Sequence, residues 1–288
     1  MGESPSPPPL LVSVAPIRND CQMSNVSALR APERRSLRAA NREPSHWAYR
    51  VIAHFARLVN PLVSRRRWAG QEHIPKTGGV ILVANHTSNY DPLALGEFII
   101  WAGRWPRFLG KSEIWNVPGL GWFARKCEQI PVFRNTDRAI NSLVHAEEAL
   151  LTKHHAVAIY PEGTITADPD VWPMTGRRGA AQLALKTGVP VVPLVAVGPP
   201  RVLGQKKLEL GKLLGGRKPV SVMARPALDL SAYTDVEPTK AVLDEVTALI
   251  LDTLTEMVAE IRGEQPPAEG RYDMRLGRRV GDGAVRPE

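Results

Sequence analysis

Beginning at Ser45, the apolar residues Trp47, Val51, Phe55, Leu58 and Leu62 recur at intervals of three and four. Ile52 and Val59 widen the stripe, while Arg50, His54 and Arg57 fall on another side. That period is the signature of an amphipathic helix. With Arg65, Arg66 and Arg67 closing it, the spacing predicts one helical segment over residues 45–70. Such a helix suits a bilayer interface, apolar face down and arginines at the headgroups. Amphipathicity equally predicts a helix packed against its own domain.

Beyond residue 70 the pattern alternates. Gly79–Ala84 (GVILVA) reads as a buried strand, and Asp91-Pro92 opens a helix running to about Trp101. Short strands are expected at Phe108-Leu109, Gln129–Phe133, Ala156–Tyr160, Val189–Val197 and Val220–Ala224. Helical spacing covers Leu120–Cys127, Thr136–His154, Arg178–Thr187 and Val236–Ile261. Strands alternating with helices imply an α/β fold. The expected architecture is a single layered domain with a central mixed sheet flanked by helices, plus the N-terminal amphipathic helix. By this reading residues 1–44 are a basic, disordered tail and 45–70 the interface helix. Residues 71–230 are the main domain, 231–262 a C-terminal helix and 263–288 a loose tail.

Charge changes the picture at the N-terminus. The first 70 residues hold 11 arginines, no lysine and four acidic residues, a balance of +7 against +8 for all 288 residues. A basic end attracts phosphate-bearing surfaces, whether anionic lipid or nucleic acid. A nucleic-acid-binding module is the main rival outside enzymes, but the sequence offers no binding motif or aromatic stacking platform for it. No stretch reaches the roughly 18–20 apolar residues of a spanning helix, and the short run Leu10–Pro16 fits a signal peptide poorly. Two cysteines cannot build a disulfide framework, so a reducing compartment is the simpler reading.

Three segments could carry chemistry. In Asn85-His86-Thr87-Ser88-Asn89-Tyr90-Asp91, His86 stands just past a buried strand and Asp91 at the start of the next helix. Ligands collect at the carboxyl ends of strands in α/β sheets. A His with a carboxylate five positions on can form a base and its orienter, although an Asx-type turn with an incidental His explains the same residues. Tyr160-Pro161-Glu162-Gly163-Thr164 also follows a strand. There a glycine lets backbone N–H groups approach an anion, and Glu162 can order the loop. Lys111 and Arg134 lie near strand ends, where they could bind an anion or simply be solvated. Gly119-Leu120-Gly121-Trp122-Phe123-Ala124 matches a dinucleotide fingerprint formally, but it follows Asn116-Val117-Pro118 rather than a strand. No ligand set has zinc spacing, so no metal site and no resident cofactor is expected.

The order of these segments is more specific than any one of them. Asn-His-x4-Asp, Lys-x-Glu with Pro-Gly-x-Gly, Val-Phe-Arg, Pro-Glu-Gly-Thr and Val-Pro-Val-Val-Pro follow one another over residues 70–200. In this the chain resembles the glycerolipid acyltransferases, whose best-known members are the 1-acyl-glycerol-3-phosphate acyltransferases. Asp168–Ala184 looks like the form found in actinobacterial members. The resemblance implies that His86 is the catalytic base and Asp91 its partner. It further implies that Arg134 and the loop Glu162, Gly163, Thr164 contribute to the acceptor's phosphate site, and that Val189–Pro193 belongs to the acyl side. The chain departs from the pattern at Ile165, where an arginine is common; Arg177 or Arg178 is a candidate replacement. The expected reaction transfers a fatty acyl group from acyl-CoA or an acyl carrier protein thioester to the free hydroxyl of 1-acyl-glycerol-3-phosphate, giving phosphatidic acid for phospholipid synthesis. Another lysophospholipid or a glycolipid is the alternative acceptor. The expected location is the cytoplasmic face of the cell membrane, peripheral or monotopic, on an anionic surface and without nucleic acid. No Gly-x-Ser-x-Gly elbow is present, which argues against a serine acyl-enzyme.

Overall fold

The computed structural model describes residues 27–133 and 139–281. After a short helix α1 (Leu37–Ala40), the amphipathic segment forms α2 (Trp47–Val63). The chain then continues through β1 (Ser64–Ala69), β2 (Val80–Ala84), α3 (Asp91–Trp101), β3 (Pro106–Lys111), α4 (Leu120–Lys126), β4 (Ile130–Val132), α5 (Ala139–Leu151) and β5 (Ala156–Ile159). It is completed by α6 (Gly179–Thr187), β6 (Val191–Val197), α7 (Pro200–Leu203), β7 (Lys218–Ala224), α8 (Lys240–Arg262), β8 (Arg271–Asp273) and β9 (Arg278–Val280).

Seven strands form one sheet in the order β1-β7-β6-β2-β5-β3-β4. It is mixed, as expected, because β6 and β7 run antiparallel while the other neighbours are parallel. β2 sits at the centre, Val83 opposite Ile159 of β5 on one side and Pro193 of β6 on the other. All five of its residues are buried, as a continuous apolar run must be when helices cover both faces. Leu82 and Ala84 pack with α2 and α3 (Ala53, Leu95, Phe98), whereas Ile81 and Val83 pack with α5, α6 and α8 (Leu150, Ala181, Ile250, Leu254).

Two expectations are corrected. The segment 45–70 is not one helix: α2 ends at Val63, and Arg65, Arg66 and Arg67 lie in β1, paired in parallel with β7. Three consecutive arginines are tolerable here because strand side chains alternate. Arg65 and Arg67 are exposed, while Arg66 turns inward to the buried carboxylate of Glu97. The main domain therefore begins before residue 71. The tail from 263 is not loose where it is described. β8 and β9 form an antiparallel hairpin, and Arg279 binds both oxygens of the buried Asp168. The expected disordered tail lies outside the described residues up to residue 26, while residues 27–44 include α1 and a bridge between Arg30 and Trp68.

The stripe Trp47, Val51, Phe55, Leu58 and Leu62 faces outward, and α2 packs on the domain through Ala48, Tyr49, Ala53 and Ala56 instead. Small residues let the helix sit close to α3 while its large apolar residues point to the surroundings. Leu58 and Leu62 are 69% and 68% exposed. The Trp47 ring meets Trp122 of α4 at 5.4 Å, next to exposed Val117 and Leu120. Among the described residues no helix is long and apolar enough to cross a membrane.

Candidate active site

The site is built where β2 ends. Asn85 fixes the exit of the strand: its amide donates to the Ala196 carbonyl at 3.1 Å and accepts from the Ala196 N–H at 2.8 Å, tying the loop to β6. The next residue, His86, places Nδ1 2.9 Å from Oδ2 of Asp91. Asp91 is fully buried and begins α3, so its negative charge sits at the favourable end of the helix dipole. Its carboxylate accepts from the N–H groups of Thr87 and Ser88, the latter at 2.8 Å, and from the Thr87 hydroxyl at 3.1 Å. A carboxylate so engaged is a fixed acceptor. It selects the tautomer in which Nδ1 carries the proton and leaves Nε2 as the basic nitrogen. The His86 side chain remains partly accessible, 17% exposed.

The main chain of His86 is held from the other side by the loop after β5. Its N–H donates to Oε1 of Glu162 at 2.8 Å, and its carbonyl accepts from the Thr166 N–H at 2.7 Å. Oε2 of Glu162 accepts from the Met174 N–H at 3.1 Å. Burial pushes the Glu162 carboxyl up to about 8, against the opposing pull of the backbone hydrogen bonds from His86 and Met174. The ring of Tyr160 stacks on that of His86 at 4.0 Å and 14°, and its hydroxyl is buried without a hydrogen-bond partner. Burial and the Asp91 charge hold this phenol well above its usual pKa.

The loop from Glu162 to Thr175 is in turn fastened from behind. Thr175 N–H donates to the Tyr272 carbonyl at 3.1 Å, and Arg279 reaches Asp168 and Asp170. Gln205 donates to the Thr166 and Asp168 carbonyls. On the α2 side, the Tyr90 hydroxyl donates to Asn60 at 2.8 Å, and the Asn60 amide donates to Glu97 at 2.7 Å. The outward-facing helix is thereby joined to the residue preceding Asp91.

The other anticipated residues fall as follows. Gly163 takes a left-handed backbone (φ 69°), which the tight turn after Tyr160 requires; its N–H donates to the Tyr160 carbonyl at 2.9 Å. Arg177 is exposed, and its side chain runs beside Gly163, where an added Cβ would lie 3.3 Å from the Arg177 Cδ. Thr164 and Ile165 are half-buried in the same loop. Lys111 is exposed at the carboxyl end of β3. Arg134 lies outside the described residues. The Gly-x-Gly of Gly119–Gly121 serves packing: a Cβ on Gly121 would come within 2.2 Å of the Trp115 carbonyl oxygen. Among the described residues no group of three or more His, Cys, Asp or Glu side chains gathers where it could hold a metal ion. Asn85 and Tyr160 lie within the sequence motifs, but their roles, like the Thr166, Met174 and Arg279 contacts, depend on tertiary placement and leave no signal in the local pattern.

Comparison with known proteins fits this geometry. Residues 65–197 match the model of the family described as Acyltransferase. The chain is 30% identical over 135 residues to a chloroplastic 1-acyl-sn-glycerol-3-phosphate acyltransferase of Brassica napus, covering 46% of this chain and 38% of that protein. It is 29% identical over 148 residues to a putative 1-acyl-sn-glycerol-3-phosphate acyltransferase of Caenorhabditis elegans, covering 51% and 55%. With the human alpha form it shares 31% over 127 residues, covering 44% and 43%. The chain thus spans about half the length of these curated relatives, or less. The fold matches the crystal structure of the 1-acyl-sn-glycerophosphate (LPA) acyltransferase from Thermotoga maritima, with a TM-score of 0.57, 24% identity, and coverage of 76% of this chain and 81% of that one.

Proposed function

We propose, from the premise that residues 65–197 carry the acyltransferase family domain, that this chain is an O-acyltransferase acting at a membrane surface. It moves a fatty acyl group from a thioester to the free hydroxyl of 1-acyl-glycerol-3-phosphate, giving phosphatidic acid for phospholipid synthesis. The observation that carries this reading is the 2.9 Å contact between His86 Nδ1 and the buried Asp91, at the carboxyl end of the central strand.

The chemistry follows from that contact. A hydroxyl is a poor nucleophile until a base removes its proton as the new bond forms. Nε2 of His86 takes that proton while the hydroxyl oxygen attacks the thioester carbonyl carbon. Asp91 keeps Nδ1 protonated and stabilises the imidazolium. The tetrahedral intermediate collapses, the C–S bond breaks, and the departing thiolate takes the proton back from Nε2. The products are the ester and a free thiol, on CoA or on an acyl carrier protein. Proton and leaving group balance without an acyl-enzyme.

Acceptor binding falls to the edge of the same site. Arg177 beside Gly163 supplies the guanidinium that Ile165 does not, and Gly163 and Thr164 offer polar groups to the phosphate. Lys111 adds positive charge from the end of β3, and the resemblance assigns Arg134, outside the described residues, to the same phosphate. The outward stripe of α2 supports a bilayer as the working surface: five large apolar residues lie on it, with arginines on its flank. Purified protein with an acyl thioester and a panel of lysolipids tests the proposal. Acylation of lysophosphatidic acid in preference to choline-bearing and glycolipid acceptors is expected. Preference for either of the latter would move the substrate class, and no transfer to any acceptor would refute the activity.

A further inference from the structure

We infer that the segment from Gly204 to Lys218 is a second membrane-docking surface, which lays an anionic bilayer directly beside the His86–Asp91 loop. The inference rests on the acyltransferase reading only for what the docking accomplishes.

Three leucines in this short stretch point outward: Leu208 is 62% exposed, Leu210 63% and Leu214 90%. A single exposed leucine needs no explanation. Three in seven residues do, because the segment is otherwise well ordered by its own contacts. The Glu209 N–H donates to the Leu203 carbonyl at 3.0 Å and the Lys212 N–H to the Glu209 carbonyl at 2.9 Å, shaping a 3-10 turn over Leu210–Leu214. Leu213 turns inward from that same turn and packs against the α2–α3 layer. Burial of a leucine is therefore possible here, and Leu210 and Leu214 do not take part in it.

The charge around the leucines selects the partner. Residues 205–218 contain Lys206, Lys207, Lys212, Arg217 and Lys218 against the single acid Glu209, and no aromatic residue. Protein interfaces are poor in lysine and draw their energy from Trp, Tyr and Arg anchors. Leucines interleaved with lysines instead match a surface with hydrocarbon below and phosphate above. An anionic bilayer fits, and a second copy of this basic segment does not.

Position supplies the consequence. At one end, Ser88 of the catalytic loop donates its hydroxyl to the Gly204 carbonyl at 2.6 Å, and the Gln205 amide donates to the Thr166 carbonyl at 2.8 Å. At the other end, Lys218 stands in register with Ser64, the residue that follows α2. The segment therefore spans from the catalytic loop to the end of the helix whose stripe faces outward, on the same side of the sheet. A bilayer seated on both surfaces presents a lysolipid hydroxyl to His86 without the lipid leaving the membrane.

The test compares full-length protein with the triple variant Leu208→Ser, Leu210→Ser, Leu214→Ser on vesicles of phosphatidylcholine with and without phosphatidylglycerol. We expect the variant to partition about tenfold or more weakly onto the anionic vesicles, with unchanged Tm in solution. Its turnover should fall on bilayer-embedded acceptor and hold on a short-chain soluble acceptor. Amides of residues 205–216 in the wild type should exchange more slowly once anionic vesicles are added. Equal partitioning of variant and wild type, or no exchange protection in this segment, overturns the inference. So does wild-type self-association in the absence of vesicles that the triple variant abolishes, which would assign the leucines to a second copy. Failure of the acyltransferase reading would instead appear as no turnover by wild type on any acceptor, leaving the partitioning result to judge the segment.

Discussion

Glu162 and His86 are 76 residues apart in the chain, yet the carboxyl group of the first accepts the backbone N–H of the second at 2.8 Å. The other Glu162 oxygen accepts the Met174 N–H, so one buried side chain sets the height of the His86 loop against the loop behind it. Its proton affinity has a consequence for stability. The carboxyl is raised by burial to about 8 from an ordinary value of 4.5. A group raised on folding contributes fully below its unfolded pKa and loses that contribution as pH rises through its folded one. Melting wild type and Glu162→Gln from pH 5 to pH 9 should show wild type losing ground relative to the variant as pH rises from 5 towards 8, with the difference levelling off above about 8. A constant difference across the range would mean that Glu162 does not titrate there.

The C-terminal hairpin acts on the same loop from the opposite side. Arg279 binds Asp168, which is buried, through a pair of hydrogen bonds at 3.1 and 3.3 Å. Arg279→Ala leaves that carboxylate with only its backbone donors, a loss of roughly 1–3 kcal/mol. Thermal unfolding should register the loss. kcat should fall as well, because Thr166 in this loop donates to the His86 carbonyl, and Arg279→Lys should recover part of both. An unaltered Tm in the alanine variant would show that the hairpin does not brace the loop.

Membrane attachment through α2 is best tested by point changes. Deleting residues 1–70 would remove β1 from the sheet and leave Glu97 without Arg57 and Arg66. Phe55→Ser with Leu58→Ser alters only outward positions, at 56% and 69% exposure. The pair should retain the wild-type Tm within a degree or two and weaken binding to anionic vesicles about tenfold or more. Binding by wild type should itself decline with added salt, since exposed charges are screened. Vesicle affinity untouched by the double substitution would place the contact elsewhere.

Arg177 carries the expectation about the acceptor's phosphate. Arg177→Ala should raise the KM for lysophosphatidic acid about tenfold or more, the scale of one lost charge-assisted hydrogen bond, with the KM for the thioester nearly unchanged. Arg134→Ala should act in the same direction. Equal shifts in both KM values would remove Arg177 from the phosphate site.

Much of this arrangement was legible in the sequence because it is local. β2 is five consecutive buried apolar residues, Asp91-Pro92 is a helix start, and His86 and Asp91 are separated by one short loop. β1 was not legible: Arg65, Arg66 and Arg67 break the apolar pattern of a strand, and only the distant Glu97 and β7 make them one. The hairpin at β8 and β9 was missed for the same reason, since polar residues such as Arg271 and Arg279 are buried or held by acids far away in the chain. The direction of the α2 stripe was also beyond reach from its period. An amphipathic pattern states that one face differs from another, and the buried Ala48, Ala53 and Ala56 reveal which one meets the domain.

The central claim is that His86, held by Asp91, is the base of an acyl transfer. Its most direct test is the single-turnover rate of transfer from an acyl thioester to lysophosphatidic acid, by wild type and by His86→Ala of matching Tm. A wild-type rate that falls about 10²–10⁴-fold in the variant is the predicted result. A folded His86→Ala protein that transfers the acyl group at the wild-type rate would contradict it.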